Sequence, residues 1–260
     1  TGANIAARAK QDQCSFHRRD ARGMSSPRAC CDLRSRPIGR RGRSGGAGRG
    51  EEGRFRIIGG DWRRRRLSFP ARPGVRPTAD RVRETLFNWL QSHVVGARCL
   101  DLFAGSGALG LEALSRGAAH VTFVDRSPPL LAAIEGHLAV LGASDRARCV
   151  AADALRWLDG PGRSGRRSPG FGPGATAGTD IGGGGWDIVF LDPPFDGGLL
   201  APALRGLAPG HVVPGGRVYI EHGAAETLPE LPAGWRLEKN ARAGNVRYHL
   251  AVVGPAPATG

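Results

Sequence analysis

Four residues that could act on a nucleic-acid base follow a short apolar run. Asp192-Pro193-Pro194-Phe195 comes directly after residues 187–191, which read as a buried strand. An exocyclic base amine is a weak nucleophile because its lone pair is delocalised into the ring. Asp192 and the carbonyl of Pro193 could accept its two N–H bonds, the prolines would stiffen this lip, and Phe195 would stack on the base. Asp-Pro-Pro is also an ordinary strand-ending turn, so its meaning depends on what lies beside it.

A glycine-rich loop is a second candidate site. Gly105, Gly107 and Gly110 follow the apolar residues 100–103 with the spacing of a dinucleotide fingerprint, and Asp125 ends the next apolar run. Glycine is needed there because a ligand must approach the backbone closely where a strand turns into a helix. A carboxylate at Asp125 can bridge two ribose hydroxyls, in either a nicotinamide dinucleotide or S-adenosylmethionine.

A carboxylate in front of this loop distinguishes the two cofactors. Asp101 would face the pyrophosphate of a dinucleotide, an unfavourable contact between like charges. The same carboxylate can bind the ammonium group of S-adenosylmethionine, and Asp153, after the third apolar run, can accept a hydrogen bond from the adenine amine. Three acidic strand ends beside a glycine loop therefore favour S-adenosylmethionine. The alternative is that each acid is a solvated strand end or a helix cap.

Positive charge is concentrated in the first third of the chain. Residues 1–83 contain 22 Lys+Arg and 7 Asp+Glu, a net +15, whereas residues 84–260 contain 15 and 16, a net −1. A basic segment ahead of a neutral body indicates attraction to a polyanion, most simply nucleic acid. Only two of the basic residues are lysines, so an arginine-rich composition accounts for part of this signal.

The cysteines and the hydropathy favour a cytoplasmic protein without a metal or a membrane partner. The cysteines show no C-x-x-C spacing and no histidine partners at metal distances, which favours reduced thiols. No stretch approaches the ~20 apolar residues of a membrane span, and the N-terminus lacks the apolar core of a signal peptide. Two cysteines lie in apolar runs and should be buried, Cys99 and Cys149.

Two segments do not fit a packed core. Residues 1–53 are rich in Arg, Gly and Ser without apolar periodicity, which predicts a disordered basic tail ahead of a folded domain at 54–260. The sole methionine is Met24, so we interpret this tail as an over-extended reading frame or a start at another codon; an RNA-binding arm is the alternative. Residues 160–185 predict a flexible glycine-rich insertion without a catalytic role.

From residue 98 onward, predicted strands and helices alternate. The strands are expected at 98–103, 120–125, 147–151, 187–191 and 217–221, the helices near 107–116, 128–141, 154–158 and 198–208, and a closing antiparallel pair at 235–239 and 246–253. This order predicts an α/β fold, a Rossmann-like, doubly wound, mostly parallel sheet with ligands at the carboxyl ends of its strands. Ahead of it we expect a small N-terminal β-hairpin with a turn at Gly59-Gly60, then a helix capped by Thr78.

Taken together, these residues resemble the RsmD family of bacterial methyltransferases, which modify the N2 of one guanine in small-subunit (16S) ribosomal RNA. The resemblance covers residues 54–253 and is carried by RIIGG at 56–60, RPTADRVRETLFNWL at 76–90, LDLFAGSGALGLEALSRGA at 100–118, FLDPPF at 190–195, YIE at 219–221 and AGNVRYHL at 243–250. DPPF is shared with many amine methyltransferases, whereas the block at 76–90 joined to the long glycine motif is much more specific. The chain departs from the family pattern at Asp125 and His137, where Glu and Asn are more usual, and in its two extra segments.

The resemblance implies roles for individual residues. Segment 76–84 would close over the methionyl end of the cofactor, and the cofactor-binding residues would be Asp101, Phe103, Gly105, Gly107, Asp125, Asp153, Thr78 and Arg83. RNA phosphates would be bound by Arg56, Arg63, Arg64, Arg65, Arg66 and Arg76. For residues 63–66 the alternative is a solvated hairpin face. The substrate would be 16S rRNA in a partly assembled small subunit.

We therefore expect an S-adenosylmethionine-dependent rRNA guanine-N2 methyltransferase. It would act by positioning and polarising the amine, without a metal, because the sulfonium already activates the methyl group. An adenine-N6 methyltransferase acting on DNA or RNA could carry the same lip. A nicotinamide-dependent oxidoreductase and a catalytically silent RNA-binding module are the alternatives from other classes.

Overall fold

The computed structural model describes residues 52–72, 77–160, 185–195, 197–207 and 210–254. The predicted tail at 1–53 and insertion at 160–185 therefore lie almost wholly outside the described residues, and so does Arg76. The proposed division of the chain at residue 54 stays a prediction.

Strands and helices alternate through most of the described chain. The strands are β1 (Glu52–Arg56), β2 (Arg66–Pro70), β3 (Arg98–Asp101), β4 (His120–Asp125), β5 (Ala147–Ala151), β6 (Trp186–Leu191), β7 (Val212–Gly223), β8 (Trp235–Ala243) and β9 (Val246–Val253). The α-helices are α1 (Asp80–Trp89), α2 (Ala108–Ser115), α3 (Pro128–Leu141), α4 (Ala154–Asp159) and α5 (Leu200–Leu207), with a short 3₁₀ turn at Ser144–Arg146. The predicted alternation is confirmed.

A seven-stranded sheet organises these elements in the order β5-β4-β3-β6-β7-β9-β8. Strands β3 to β7 pair in parallel, whereas β9 is antiparallel to both β7 and β8. Helices α1, α2 and α3 and the hairpin β1–β2 contribute to the buried cluster on one face, and α4 and α5 to the cluster on the other. Strands covered on both faces read as near-continuous apolar runs, as β6 does. The predicted doubly wound fold, with its antiparallel C-terminal strands and N-terminal hairpin, is confirmed.

The hairpin differs from the prediction at its turn. Strands β1 and β2 pair with Phe55 opposite Leu67, so the connection spans residues 57–65 rather than a two-residue turn at Gly59-Gly60. The long connection places Gly60, at φ 75°, against the carbonyl of Ser115, where an added Cβ would overlap that oxygen. The connection therefore docks on the end of α2 instead of projecting as a tight turn.

A buried carboxylate holds this docked segment. Glu112 on α2 is fully buried and accepts the backbone N–H groups of Ile58 and Gly59, each at 2.8 Å. The same carboxylate accepts hydrogen bonds from Arg83 at 3.3 Å and Arg116 at 2.7 Å. Removing either partner of such a pair would leave an uncompensated buried charge.

Arg83 extends the network to the start of α1. Its guanidinium donates to the carbonyls of Thr78 at 3.0 Å and Arg56 at 2.9 Å, and it pairs with Asp80 at 2.6 Å. Burial lowers the pKa of Arg83, and the carboxylates of Glu112 and Asp80 oppose that shift. Because Arg83 is fully buried, its predicted contact with a cofactor would require this network to open.

Glu112→Ala should lower the free energy of unfolding by about 3–5 kcal/mol, because Arg83 and two backbone N–H groups lose their shared acceptor. Urea denaturation followed by circular dichroism measures the change. Glu135→Ala, on the exposed face of α3, is the matched control and should change stability by less than about 0.5 kcal/mol. An equally small effect of both substitutions would contradict the structural importance of the buried pair.

Candidate active site

Three predicted acids stand at the carboxyl ends of neighbouring parallel strands, on one side of the sheet that is called the sheet edge below. Asp101 ends β3, Asp125 ends β4, and Asp192 follows β6, which pairs with β3 on its other side. Burial, and then the negative charges of Asp192 and Asp125, raise the pKa of Asp101 to about 7, although a hydrogen bond from Gly110 lowers it. The three carboxylates therefore lie within electrostatic reach, as expected at the point where the strand order reverses.

The glycine loop between β3 and α2 is fixed by two of these acids. The carboxylate of Asp125 accepts the N–H groups of Gly105 and Ser127, both at 2.8 Å, and Asp101 accepts the N–H of Gly110 at 3.0 Å. Gly105 and Gly107 have φ values of 50° and 77°, which side chains rarely allow. At Gly107 glycine is also needed for packing, because an added Cβ would lie 2.8 Å from the side chain of Ile134.

The remaining predicted cofactor residues occupy different surroundings. Asp153 caps α4 by accepting the N–H groups of Leu155 and Arg156, both at 3.1 Å, and it is exposed. Phe103 is partly buried and packs against the α4/α5 face of the sheet. Asp101, Asp125 and Asp153 all accept backbone N–H groups, so the helix-cap alternative describes part of what they do. Their binding of a cofactor stays a prediction.

The lip after β6 borders a cavity of about 280 Å³. Pro193, Pro194 and Phe195 line it, together with Glu221 and His222 from the end of β7. Phe195 is partly buried and belongs to neither core cluster, which leaves its ring available to a ligand in the cavity. The structure therefore brings the predicted lip to a concave site.

The predicted helix cap at Thr78 is wrong. Helix α1 begins after Ala79 without a side-chain cap, and the hydroxyl of Thr78 instead donates to Asp192 at 2.9 Å. Burial raises the pKa of Asp192 to about 6, and the hydrogen bond from Thr78 counteracts this rise. Thr78 thus positions the carboxylate of the lip and favours its charged form.

Glu221 was not among the predicted site residues. Leu191 pairs with Ile220, so Asp192 and Glu221 are the next residues on neighbouring parallel strands. Glu221 accepts the hydroxyl of Tyr219 at 2.6 Å, and burial followed by the charge of Asp192 raises the pKa of Glu221. An acid within the apolar run of β7 was the available signal, but its proximity to Asp192 depends on the sheet order.

The predicted RNA-binding arginines lie mainly in the connection between β1 and β2. All four side chains of residues 63–66 are exposed, and Arg64 has a φ of 70°. Arg56 is also exposed but pairs with Asp80 at 2.6 Å, which offsets part of its charge. The arrangement presents a local basic surface, and its contact with RNA stays a prediction.

Other classes of site were sought in the same described residues. They contain no group of three or more His, Cys, Asp or Glu placed to hold a metal ion. No helix among them is long and apolar enough to cross a membrane. Cys99 and Cys149 are buried and unbridged, as predicted, and their thiol pKa values are raised by burial.

Thr78→Val should raise the pKa of Asp192 above its value of about 6, because the charged carboxylate loses a hydrogen-bond donor. Carbon-13 NMR titration of the aspartate carboxyl groups measures the shift. Thr85→Val is the matched control, since the hydroxyl of Thr85 donates only to a helix carbonyl on an exposed surface. An unchanged Asp192 titration in Thr78→Val would show that this hydrogen bond is not formed in solution.

Comparison with known proteins shows to which protein family the chain is related. A family model described as "Conserved hypothetical protein 95" matches residues 55–167 and 178–252. The ribosomal RNA small subunit methyltransferase D of Escherichia coli K12 is 43% identical over 199 residues, which cover 76% of this chain and 89% of that protein. Its namesake in Haemophilus influenzae is 37% identical over 201 residues, which cover 76% and 94%.

A solved structure supports the same relationship. An Escherichia coli protein provisionally described as a methyltransferase is 39% identical, with a TM-score of 0.65, over 78% of this chain and 99% of that one. The family model and the two relatives each agree with the family resemblance that was drawn from the sequence motifs. The chain belongs to the family described as conserved hypothetical protein 95, which is the RsmD family of methyltransferases.

Proposed function

We propose that this protein transfers a methyl group from S-adenosylmethionine to the exocyclic N2 of a guanine in 16S rRNA. The observation that carries the proposal is the position of Asp192, which follows β6 beside the strand that leads into the glycine loop and directly precedes the residues of the lip that line a cavity. The names of the relatives at 43% and 37% identity support ribosomal RNA of the small subunit as the substrate.

The residues at the sheet edge fit S-adenosylmethionine. The pKa of the Asp101 carboxyl is raised by burial and then by Asp192 and Asp125, and the ammonium of the cofactor would stabilise its charged form. The left-handed backbone at Gly105 and Gly107 forms the tight loop that the cofactor would lie against, and Asp125 can offer a carboxylate to its ribose. When bound, this cofactor supplies a methyl group already activated by a positive sulfur.

The residues of the lip would prepare the acceptor amine. Asp192 accepts one N–H of the amine and the carbonyl of Pro193 accepts the other, which directs the nitrogen lone pair toward the methyl donor. Phe195 stacks on the base, and Thr78 holds Asp192 in its charged form. When the amine takes the methyl group from the sulfonium it would lose a proton, and the Asp192 carboxylate that holds the amine would be able to accept it.

The alternatives differ in cofactor or in base. A nicotinamide-dependent oxidoreductase would have to place a pyrophosphate beside Asp101, and the comparisons favour methyltransferases. An adenine-N6 methyltransferase fits the lip equally well, but it is not supported by the named relatives. A silent RNA-binding scaffold would have no need of the Thr78–Asp192 hydrogen bond at the cavity. We further propose that the protein acts in the cytoplasm, on a partly assembled small subunit.

Asp192→Ala should slow methyl transfer to small-subunit RNA by about 10²-fold or more, because the amine loses the acceptor that orients it. The affinity for S-adenosylhomocysteine should stay within a few-fold of the original value. Initial rates with labelled cofactor and titration calorimetry measure the two effects, with the exposed Asp145→Ala as control. Near-normal turnover of Asp192→Ala would exclude this lip as the catalytic site, and binding of NAD instead of S-adenosylhomocysteine would favour the oxidoreductase.

Replacing Arg63, Arg64, Arg65 and Arg66 together with Ser should weaken RNA binding and reduce the slope of log K against log salt by as much as ~3 units. The exposed side chains would no longer neutralise phosphates, whereas cofactor binding should not change. The comparator is Arg236→Ser/Lys239→Ser on strand β8, which is also exposed. Both variants are measured with and without residues 1–53, because that basic tail could mask the effect. An unchanged slope in the quadruple variant without the tail would place RNA on another surface.

A further inference from the structure

The cavity beside the lip presents more acceptors than amine binding requires. The second oxygen of Asp192 accepts no hydrogen bond from the described residues, and neither does the second oxygen of Glu221. Glu221 is only 5% exposed, yet it lines the cavity. Neither oxygen is among the fully buried polar atoms that lack a partner in the described residues, so both are open to donors of a bound ligand. This site is therefore suited to a ligand with two neighbouring donors.

Guanine carries two such donors on one edge. Its ring N1–H lies next to the carbon that bears the N2 amine, so both groups point in the same direction. Adenine presents its N6 amine next to N1, which is an acceptor without a proton. Two adjacent carboxylates would match the guanine edge and repel the N1 lone pair of adenine.

We propose that Glu221 determines base specificity by accepting the N1–H of the target guanine while Asp192 holds its N2 amine. This inference rests on the proposed function and concerns the same site. The register of β6 and β7 places the two acids side by side, since Leu191 pairs with Ile220 immediately before them. Neighbouring strands lie ~4.8 Å apart. Two carboxylates on adjacent strands can therefore reach two adjacent donors on one base.

His222, the neighbour of Glu221 on β7 and also at the cavity, is less suited to this role. The ring of His222 stacks on that of His249, with their Nε2 atoms 3.0 Å apart. The Nδ1 atom of His222 lies 2.9 Å from the carbonyl of Gly223, so it must donate there. Both ring nitrogens are thus engaged within the protein, which leaves the Glu221 carboxylate as the better reader of the base edge.

The hydrogen bond from Tyr219 sharpens the test. In Glu221→Gln, the hydroxyl of Tyr219 would hold the amide oxygen, so the amide N–H₂ would face the base. A donor would then replace an acceptor at the same position. Tyr219→Phe is the matched control, because it removes this hydrogen bond but leaves the carboxylate of Glu221 in place.

The experiment compares two small-subunit RNAs, each partly assembled with small-subunit proteins, that differ only at the guanine that the unaltered protein methylates. One contains guanine at that position and the other 2-aminopurine, which keeps the 2-amine but has an unprotonated N1. Methyl transfer is measured at about pH 8.5, where most of Glu221 is ionised, since burial and Asp192 raise its pKa to about 8, while guanine keeps its N1–H. The ratio of kcat/KM for the two RNAs is the readout, and circular dichroism checks that each variant is folded.

The unaltered protein and Tyr219→Phe should both prefer the guanine RNA by about tenfold or more, whereas Glu221→Gln should lose or invert this preference. Equal rates of the unaltered protein on both RNAs would overturn the inference without the use of any variant. An unchanged guanine preference in Glu221→Gln would also overturn it, while methylation of guanine itself would still support the proposed function. Absence of methylated guanine with the unaltered protein would instead reject the proposed function, and the inference with it.

Discussion

The buried contact between Arg83 and Glu112 is the constraint on which the rest of the arrangement depends. Glu112 lies on the helix that follows the glycine loop, and Arg83 lies on the helix that follows Thr78. Because the same pair also binds the backbone of the hairpin connection, three segments distant in sequence are held in one orientation. The exposed arginines, the glycine loop and Thr78, which binds Asp192, all lie on or next to the three segments that this pair connects into one frame. A charge pair of this kind contributes little net stability but makes other packing arrangements costly.

The same frame explains the electrostatic character of the sheet edge. Strand order brings Asp101, Asp125, Asp192 and Glu221 together, and burial raises the pKa values of Asp101, Asp192 and Glu221. An edge that gathers negative charge without a nearby cation favours ligands that bring positive charge or hydrogen-bond donors. S-adenosylmethionine supplies the first and a base amine the second. The exposed arginines that we propose to bind RNA lie on the hairpin connection, which docks at the Ser115 end of α2, whereas the glycine loop lies at the other end of this helix.

The sequence was sufficient for the features that depend on local pattern. Apolar runs and turn residues predicted the order of strands and helices, and the glycine spacing predicted the tight loop between β3 and α2. The hairpin turn was wrong because Gly59 and Gly60 dock on α2, a contact between residues more than fifty positions apart. Thr78 was assigned as a cap because local rules favour that role, whereas its hydroxyl bonds a residue on β6. Glu221 was missed for a similar reason, since only the pairing of β6 with β7 shows that it adjoins Asp192.

The central claim is that the paired carboxylates and the glycine loop direct a methyl group to the N2 of guanine. Its most direct test is to incubate the purified protein with methyl-labelled S-adenosylmethionine and small-subunit ribosomal RNA, both free and in a partly assembled subunit, digest the RNA to nucleosides, and identify the labelled product by mass spectrometry. The account predicts N2-methylguanosine as the labelled nucleoside. Label in N6-methyladenosine, or no label in any nucleoside, would contradict it.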